Sequence, residues 1–558
     1  MRSSAVTFTL SRCLFRHMRL RHWMWILTFT LVVMLGYWLA TTAVPQAAPG
    51  SETSKAASPR SPTVIADEAL PKFRRGLRLP GTRDDAEASK VGAFEGQRVL
   101  VFKDPAALSR FLDKMGDRVH LMGRIDALNA LRVGFSDYDD LLALLDGDEQ
   151  QGFIFPVSAP PPVQGSVQPG AVAMGNRLLD WLGITGDNSD WGKGVRIAVL
   201  DTGVANNPAF NASIHSINLV DLPADLTTQD GHGTGVASMI IGHDTLTPGV
   251  APGADIVSIR IADDNGLSDS FILARGIVAA VDAGSQLINI SMGSMGDSVV
   301  VRNALEYARA AGALIVAAAG NNGTDQVSYP AANAGVIAVG AVDALGNHLD
   351  FSNTGTAIAL AAPGYAVNAA WTGDQAMSVT GTSFSAPIVA GAIAAIMTEA
   401  GSGTLTPAQA YQQLVSYLND GGTPGVDSQL GGGMPDIGRV LSAKTPGIYD
   451  AALAASSILA PDAGNPYGQI EVLVQNRGTE MLVNTTVNVS TGGGVVSTNL
   501  TSLAPNAVQV VHVPITQPAT SYANGIRVDS QVVLANGFKD AKPSNDRRIE
   551  TYVAAGAP

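Results

Sequence analysis

The chain has 558 residues, of which 46% are hydrophobic and only 15% charged, with 60 glycines and a formal charge of −13. It lacks the basic footprint that displaces counterions from phosphates, which excludes nucleic acid as a partner, and its low charge content excludes a disordered polyelectrolyte or a coiled coil. The single cysteine, Cys13, excludes an intramolecular disulfide and any cysteine-based zinc or iron–sulfur site.

The first long apolar run is WMWILTFTLVVMLGYWLA, residues 23–40. Arg2, Arg12, Arg16, Arg19 and Arg21 precede it with no acid among them, so the rest of the chain is more acidic still. Residues 1–48 read as a signal peptide with a small-residue cleavage site near 47–48, or as an uncleaved signal anchor spanning 23–40. Either outcome keeps the arginines in the cytoplasm and carries the remainder across. The expected location is therefore secreted, periplasmic or cell-surface, with membrane contact only through this segment. Residues 49–94, rich in Ser, Pro and Ala, read as a linker.

Residues 95–158 carry a small α+β pattern. RVLVFK reads as a strand, and Asp104-Pro105 supplies an N-cap and a proline at the first helical position. Two strand-like runs follow between His120 and Phe135. Ser136 and Asp139 have capping-box spacing before a second helix, DYDDLLALL, and GFIFPVS reads as a last strand. The order β-α-β-β-α-β predicts a ferredoxin-like unit. Residues 159–174, containing APPPVQGSVQPG, break regular structure.

Residues 175–444 alternate apolar strands with helices. VRIAVL, ADIVSIRI, QLINIS, ALIVAAA and GVIAVGAV are apolar throughout, as parallel strands covered on both faces should be. Helical stretches at 270–283 and 298–311 complete an α/β, doubly wound, mainly parallel sheet whose ligands should meet the carboxyl ends of the strands. After residue 445, QIEVLVQN, TTVNVS, VQVVHVPI and IRVDSQVVL are short strands punctuated by Gly, Pro and Asn. They predict an all-β sandwich over 445–558.

Four segments bring chemistry to that ligand edge. VLDTG ends a strand at Asp201, and GHGTGVAS places His232 between glycines where a helix begins. GTSFSAP places Ser383 at a helix start, where unpaired N–H groups favour negative charge, and AAAGN ends a strand beside Asn321. Singly, each residue is explained as a cap or a turn residue; together, in one domain and at one edge, they are not.

In these segments the sequence resembles the subtilisin-like serine peptidases, whose Asp…His…Ser order it shares. The resemblance covers about 265 of the 558 residues and implies a serine endopeptidase acting through an acyl-enzyme. Ser383 would be the nucleophile and His232 its base. Asp201 would hold the imidazole, and Asn321 would donate to the oxyanion. More loosely, Ser291, Met292 and Gly293 resemble the edge that binds substrate backbone, and Gly266 belongs to the opposing rim. Asn322 and Ser328 fall at the floor of the primary pocket. Both are uncharged, so apolar or neutral side chains are expected there rather than Lys or Arg. The resemblance also implies that 95–158 is an inhibitory propeptide, the chain's own intramolecular partner; a maturation cut within 158–172 is then expected, the alternative being a permanent N-terminal domain. It implies no required cofactor and no metal site. A calcium loop is not assigned, since Asp244 is the sole carboxylate in GHDTLTPGVAP. The family often has a second histidine three residues beyond the catalytic one, where this chain has Gly235. Partners expected are protein or peptide substrates, and an extracellular partner for the C-terminal domain. The competing readings are a peptide ligase or cyclase of the same fold and an inert adhesion protein.

Overall fold

In the computed structural model the described residues are 83–159, 168–220, 230–400, 404–491, 494–518 and 525–552. The signal or anchor reading, including residues 23–40, lies outside them. All described residues fall in the unit Leu70–Pro558.

The N-terminal part follows the expected order. Strand β1 (Gln97–Phe102) leads into the helix Pro105–Lys114, then β2 (Val119–Ile125), β3 (Ala130–Phe135), a short helix Tyr138–Leu142 and β4 (Glu149–Gly152). The four strands form one antiparallel sheet ordered β2-β3-β1-β4. Asp104 caps the first helix by accepting from Ala107 N–H. The second cap is Asp137, which accepts from Asp139 N–H, rather than Ser136. Either side chain can make that bond, and the helix starts one residue later than the spacing suggested.

GFIFPVS is not one strand. The sheet ends at Gly152, and β5 (Pro156–Ser158) leaves it to pair with β9 (Leu267–Asp269) of the following domain. Ile154 and Phe155 are buried on the way, and Phe155 exchanges hydrogen bonds with Ser270. The helices Ser270–Asp282 and Val299–Ala310, the second of them amphipathic, thus gain a cover on their outer side.

The central sheet has seven strands, all parallel: β6 (Arg196–Asp201), β7 (Ile214–Asn218), β8 (Asp255–Arg260), β10 (Leu287–Ile290), β11 (Leu314–Ala318), β12 (Val336–Val342) and β13 (Ile358–Pro363). Their order is β13-β12-β11-β10-β6-β8-β7. The chain therefore reverses direction across the sheet between β6 and β10, the position where such sheets bind ligands. One face packs on the helices His232–Ile241 and Thr382–Glu399, the other on Ser270–Asp282 and Val299–Ala310. Thr382–Glu399 is apolar all round and buried from Thr382 to Met397, so it is a core helix despite having the length and hydropathy of a membrane span.

A hairpin of β14 (Val367–Trp371) and β15 (Gln375–Val379) precedes that helix. Beyond the helix Ile437–Ser442, seven strands make the C-terminal sandwich. They are β16 (Ala451–Leu459), β17 (Gln469–Asn476), β18 (Leu482–Ser490), β19 (Val495–Leu503), β20 (Val508–Pro514), β21 (Ile526–Val533) and β22 (Arg547–Tyr552). They form sheets ordered β16-β17-β20 and β19-β18-β21-β22 around one apolar core.

The sandwich is joined to the α/β domain through buried polar groups. Arg439 donates to Tyr417 O, Leu418 O and Asn419 Oδ1 on its own side, and to Asn506 Oδ1 and Arg477 O on the other. Gln475 donates to Leu418 O and accepts from Asp420 N–H. Burial and the nearby Arg439 charge lower the pKa of Arg477 to about 10.

Candidate active site

Three neighbouring strands deliver the site. Asp201 ends β6, Ser291 follows β10, and Asn321 follows β11. Parallel pairing in register (Ile290 with Leu200 and with Ala317) brings these ends to one edge. His232 and Ser383 then arrive at the starts of the two helices that cross this face of the sheet.

His232 Nδ1 lies 2.8 Å from Asp201 Oδ1, and both side chains are buried. Oδ1 also accepts from Thr202 N–H at 2.8 Å, which fixes the carboxylate. Asp230 Oδ1 accepts from His232 N–H at 2.7 Å and Thr202 Oγ1 from Gly233 N–H at 3.1 Å, so the first turn of the helix is anchored from two sides. Burial opposes charge on the imidazole. The Asp201 charge and hydrogen bond, with Asp230 beyond, outweigh it and hold the His232 pKa above its usual value. Burial in turn raises the Asp230 carboxyl.

Gly231, the N-cap of this helix, admits no side chain, because a Cβ there would lie 2.1 Å from the Trp371 ring. A Cβ at Gly235 would lie 3.0 Å from the same ring and 3.2 Å from that of Phe384. An indole thus packs over the turn that carries His232, where the resembling family often has a second histidine.

The His232 ring is centred 5.5 Å from that of Phe384, the residue after Ser383. Ser383 Oγ donates to Ser291 O at 3.1 Å, and His232 Nε2 has no hydrogen-bond partner. Ser291 Oγ donates to Ser383 O at 2.7 Å and accepts from Asn289 Nδ2, which ties the two segments together. Asn321 Oδ1 accepts from Thr382 N–H and Thr382 Oγ1 at 2.9 and 2.7 Å. That occupies the carbonyl end of the amide and leaves Nδ2 as the end able to donate elsewhere.

Of the residues expected at the substrate edge, Gly266, Gly293 and Ser328 come near one another, whereas Asn322, expected at the pocket floor, is exposed. Ser158 and Gly293 exchange both backbone hydrogen bonds at 3.0 Å, and Ala159 N–H donates to Gly266 O at 2.8 Å. The chain's own segment 156–159 therefore lies as a strand between the two rims. Gly266 has φ +71°, and a Cβ there would lie 2.5 Å from Ala159 O. Val157 is 1% exposed and shares an apolar cluster with Met292, Ile261 and Phe271. Burial of a valine side chain contributes about 1.5–3 kcal/mol. Ser328 is buried against Gly293 and Gly320. Asn322 is exposed, and its N–H donates to Asn353 Oδ1. The buried Asn353 also bonds Thr324 N–H and Ala319 O, and so shapes the loop after β11. Asp244 closes a turn by accepting from Leu246 and Thr247. No group of three or more His, Cys, Asp or Glu suited to a metal occurs among the described residues.

Trp371, Thr382, Asn353 and Asp230 did not stand out in the sequence. GTS and DGHG hold Thr382 and Asp230 directly beside the chemical residues, and adjacency was the available signal. Nothing local marks Trp371 or Asn353.

Comparison with known proteins agrees with this architecture. The model of the Subtilase family matches residues 192–433. A thermostable alkaline protease of Halalkalibacterium halodurans is 37% identical over 252 residues, covering 45% of this chain and 68% of the relative. Subtilisin Savinase of Lederbergia lenta is 37% identical over 213 residues, covering 37% of this chain and 77% of the relative. The crystal structure of the epidermin leader peptide processing serine protease from Staphylococcus aureus shares the fold, with a TM-score of 0.51 and 22% identity over 62% of this chain and 98% of its own. By class the protein is a serine endopeptidase acting on protein or peptide substrates. The chain belongs to the Subtilase family.

Proposed function

We propose that this is an exported serine endopeptidase made as a zymogen, with Ser383 as nucleophile, His232 as general base and Asp201 as the group that orients the imidazole. The reading is carried by one observation: His232 Nδ1 is held 2.8 Å from a buried carboxylate while Nε2 is unpartnered beside the helix Thr382–Glu399, which carries Ser383 in its first turn. A modest rotation of Ser383 Oγ away from Ser291 O would let His232 take its proton. Asn321 Nδ2 and the Ser383 N–H would receive the oxyanion. His232 would then protonate the leaving amine, and water would release the acyl group.

Residues 95–158 act as an inhibitory domain whose end lies along the substrate edge, 175–444 as the catalytic domain and 445–558 as an accessory domain for an extracellular partner. Support for inhibition is the β5 strand between Gly266 and Gly293. The N-terminal segment, whether cleaved or retained as an anchor, supports export. The uncharged Ser328 against Gly293 supports a preference for neutral side chains at the cleavage position.

Labelling with a fluorophosphonate after removal of the inhibitory segment tests the core of this. The native protein should label and S383A should not; equal absence of label in both would refute it.

A further inference from the structure

We propose that Trp371 is a positioning residue for the base: its indole presses the glycine turn that carries His232 against Asp201. The proposal rests on the functional reading above and concerns how its base is held in place.

That turn needs an outside hold. Of the five residues Gly231, His232, Gly233, Thr234 and Gly235, three are glycines. Glycine loses more freedom on ordering than any other residue and weakens a helix. Gly231 is also the N-cap, and it brings no side chain to bond the free N–H groups of the first turn.

Two walls supply the hold. Gly231 and Gly235 stand four apart and share one face of the helix, while Gly233, two from each, lies on roughly the opposite face. On the Gly233 side, a Cβ would lie 2.3 Å from Gly203 O and 3.1 Å from Asp201 Oδ1. Thr202 Oγ1 accepts from Gly233 N–H there, and Thr234 Oγ1 accepts from Ala205 N–H at 3.0 Å. On the other side, a Cβ at Gly231 would lie 2.1 Å from the Trp371 ring and one at Gly235 3.0 Å from it. The indole therefore lies directly on the backbone. The turn cannot advance without meeting Gly203, and it cannot back away from Asp201 without meeting the ring. His232 Nδ1 is thereby kept 2.8 Å from Asp201 Oδ1.

The ring's own strand is fixed as well. Asn207 Nδ2 donates to Trp371 O at 2.8 Å. Ala370 N–H donates to Ser238 Oγ at 3.0 Å, and Ser238 Oγ donates to Gly235 O at 2.7 Å. β14 pairs with β15, Trp371 opposite Gln375, and β15 runs on through Thr380 and Gly381 to Ser383. One hairpin thus clamps the base with its first strand and leads into the nucleophile from its second. The separation of two groups that must pass a proton is set by a single piece of structure.

The test separates a hold on the base from ordinary core packing. Cleavage of a fluorogenic peptide is measured after removal of the inhibitory segment from the full chain. W371V keeps a strand-forming residue but no ring. It should lower kcat at least ~10-fold, within the range expected for a reacting group displaced by about 1 Å, with KM within about 3-fold of wild type. W371F, which keeps a flat ring, should recover most of that loss. G231A leaves Trp371 in place and drives a methyl against it, and should also lower kcat at least ~10-fold. G231A/W371V, with the ring gone, should lose no more than W371V alone, so the two losses should not multiply. A wild-type kcat in W371V or G231A overturns the proposal. So does a W371V loss confined to KM, or losses that multiply in the double variant. Should W371V fail to fold, G231A decides: a lowered kcat at unchanged KM supports the clamp, and a wild-type kcat overturns it. Absence of a fluorophosphonate label on the wild type would instead bring down the functional reading, and the clamp with it.

Discussion

Arg132 on β3 and Asp269 at the end of β9 form an ion pair at 2.6 Å, with side-chain exposures of 11% and 3%. It is the most buried Arg–carboxylate pair described between the N-terminal sheet and the α/β domain. The other Asp269 oxygen caps the helix Ser270–Asp282 through Phe271 and Ile272 N–H. Removing one partner of a buried pair costs up to about 3–5 kcal/mol, because the other charge is stranded. If the N-terminal domain inhibits as proposed, R132M should loosen it, so that fluorophosphonate labels Ser383 in the full chain at least ~10-fold faster. R132M/D269N should label more slowly than R132M, since no charge is left unpaired. Unchanged labelling in R132M would show that the pair does not hold the domain.

The His232 imidazole is opposed by burial but held above its usual value by Asp201 and Asp230. In the proposed mechanism its neutral form is the base, so kcat/KM should rise with pH and its acid limb should lie above about 6.5, the ordinary imidazole value. D201N should shift the limb down while lowering the maximum rate. A wild-type limb below 6.5 in a pH–rate profile would contradict this.

Asn321 and Thr382 separate donation from orientation. N321A should lower kcat by about 10²–10³ with little change in KM, the size known from subtilisin for a single oxyanion donor and carried over here. T382V removes a hydroxyl that holds Asn321 Oδ1 and accepts from Gly320 N–H. A net hydrogen bond of about 0.5–1.5 kcal/mol corresponds to a loss of up to about 10-fold. Equal losses in the two variants under steady-state kinetics would argue against that division.

Asp546 in the sandwich is half-buried, and burial together with the charges of Asp540 and Asp450 raises its carboxyl to about 7. In the unfolded chain a carboxyl of this type titrates near about 3.9. The folded state therefore keeps the proton between those values, and this contribution to stability is lost as pH rises through about 7. D546N should raise the melting temperature at pH 8 and change it far less at pH 4, near the lower end of that interval. Scanning calorimetry at the two pH values checks the sign.

Much of the α/β domain was legible because strands covered on both faces must be apolar throughout, as in LINI and RIAVLD. The chemical residues stood out because glycines flank them at strand and helix ends. β7 (IHSIN) and β19 (VVSTNLTSL) were missed, since both are largely exposed and carry no apolar run. The break inside GFIFPVS was invisible for another reason. Both halves have strand composition, and what separates them is a pairing partner at 267–269, more than a hundred residues away. Trp371 was hidden in the same way: only the fold brings its ring over Gly231 and Gly235.

The polar lattice around Arg439, Gln475 and Arg477 joins the sandwich to the α/β domain by direct buried bonds instead of a slack tether. The two should therefore tumble as one body, and anything attached to the sandwich would be held at a fixed reach and angle from Ser383.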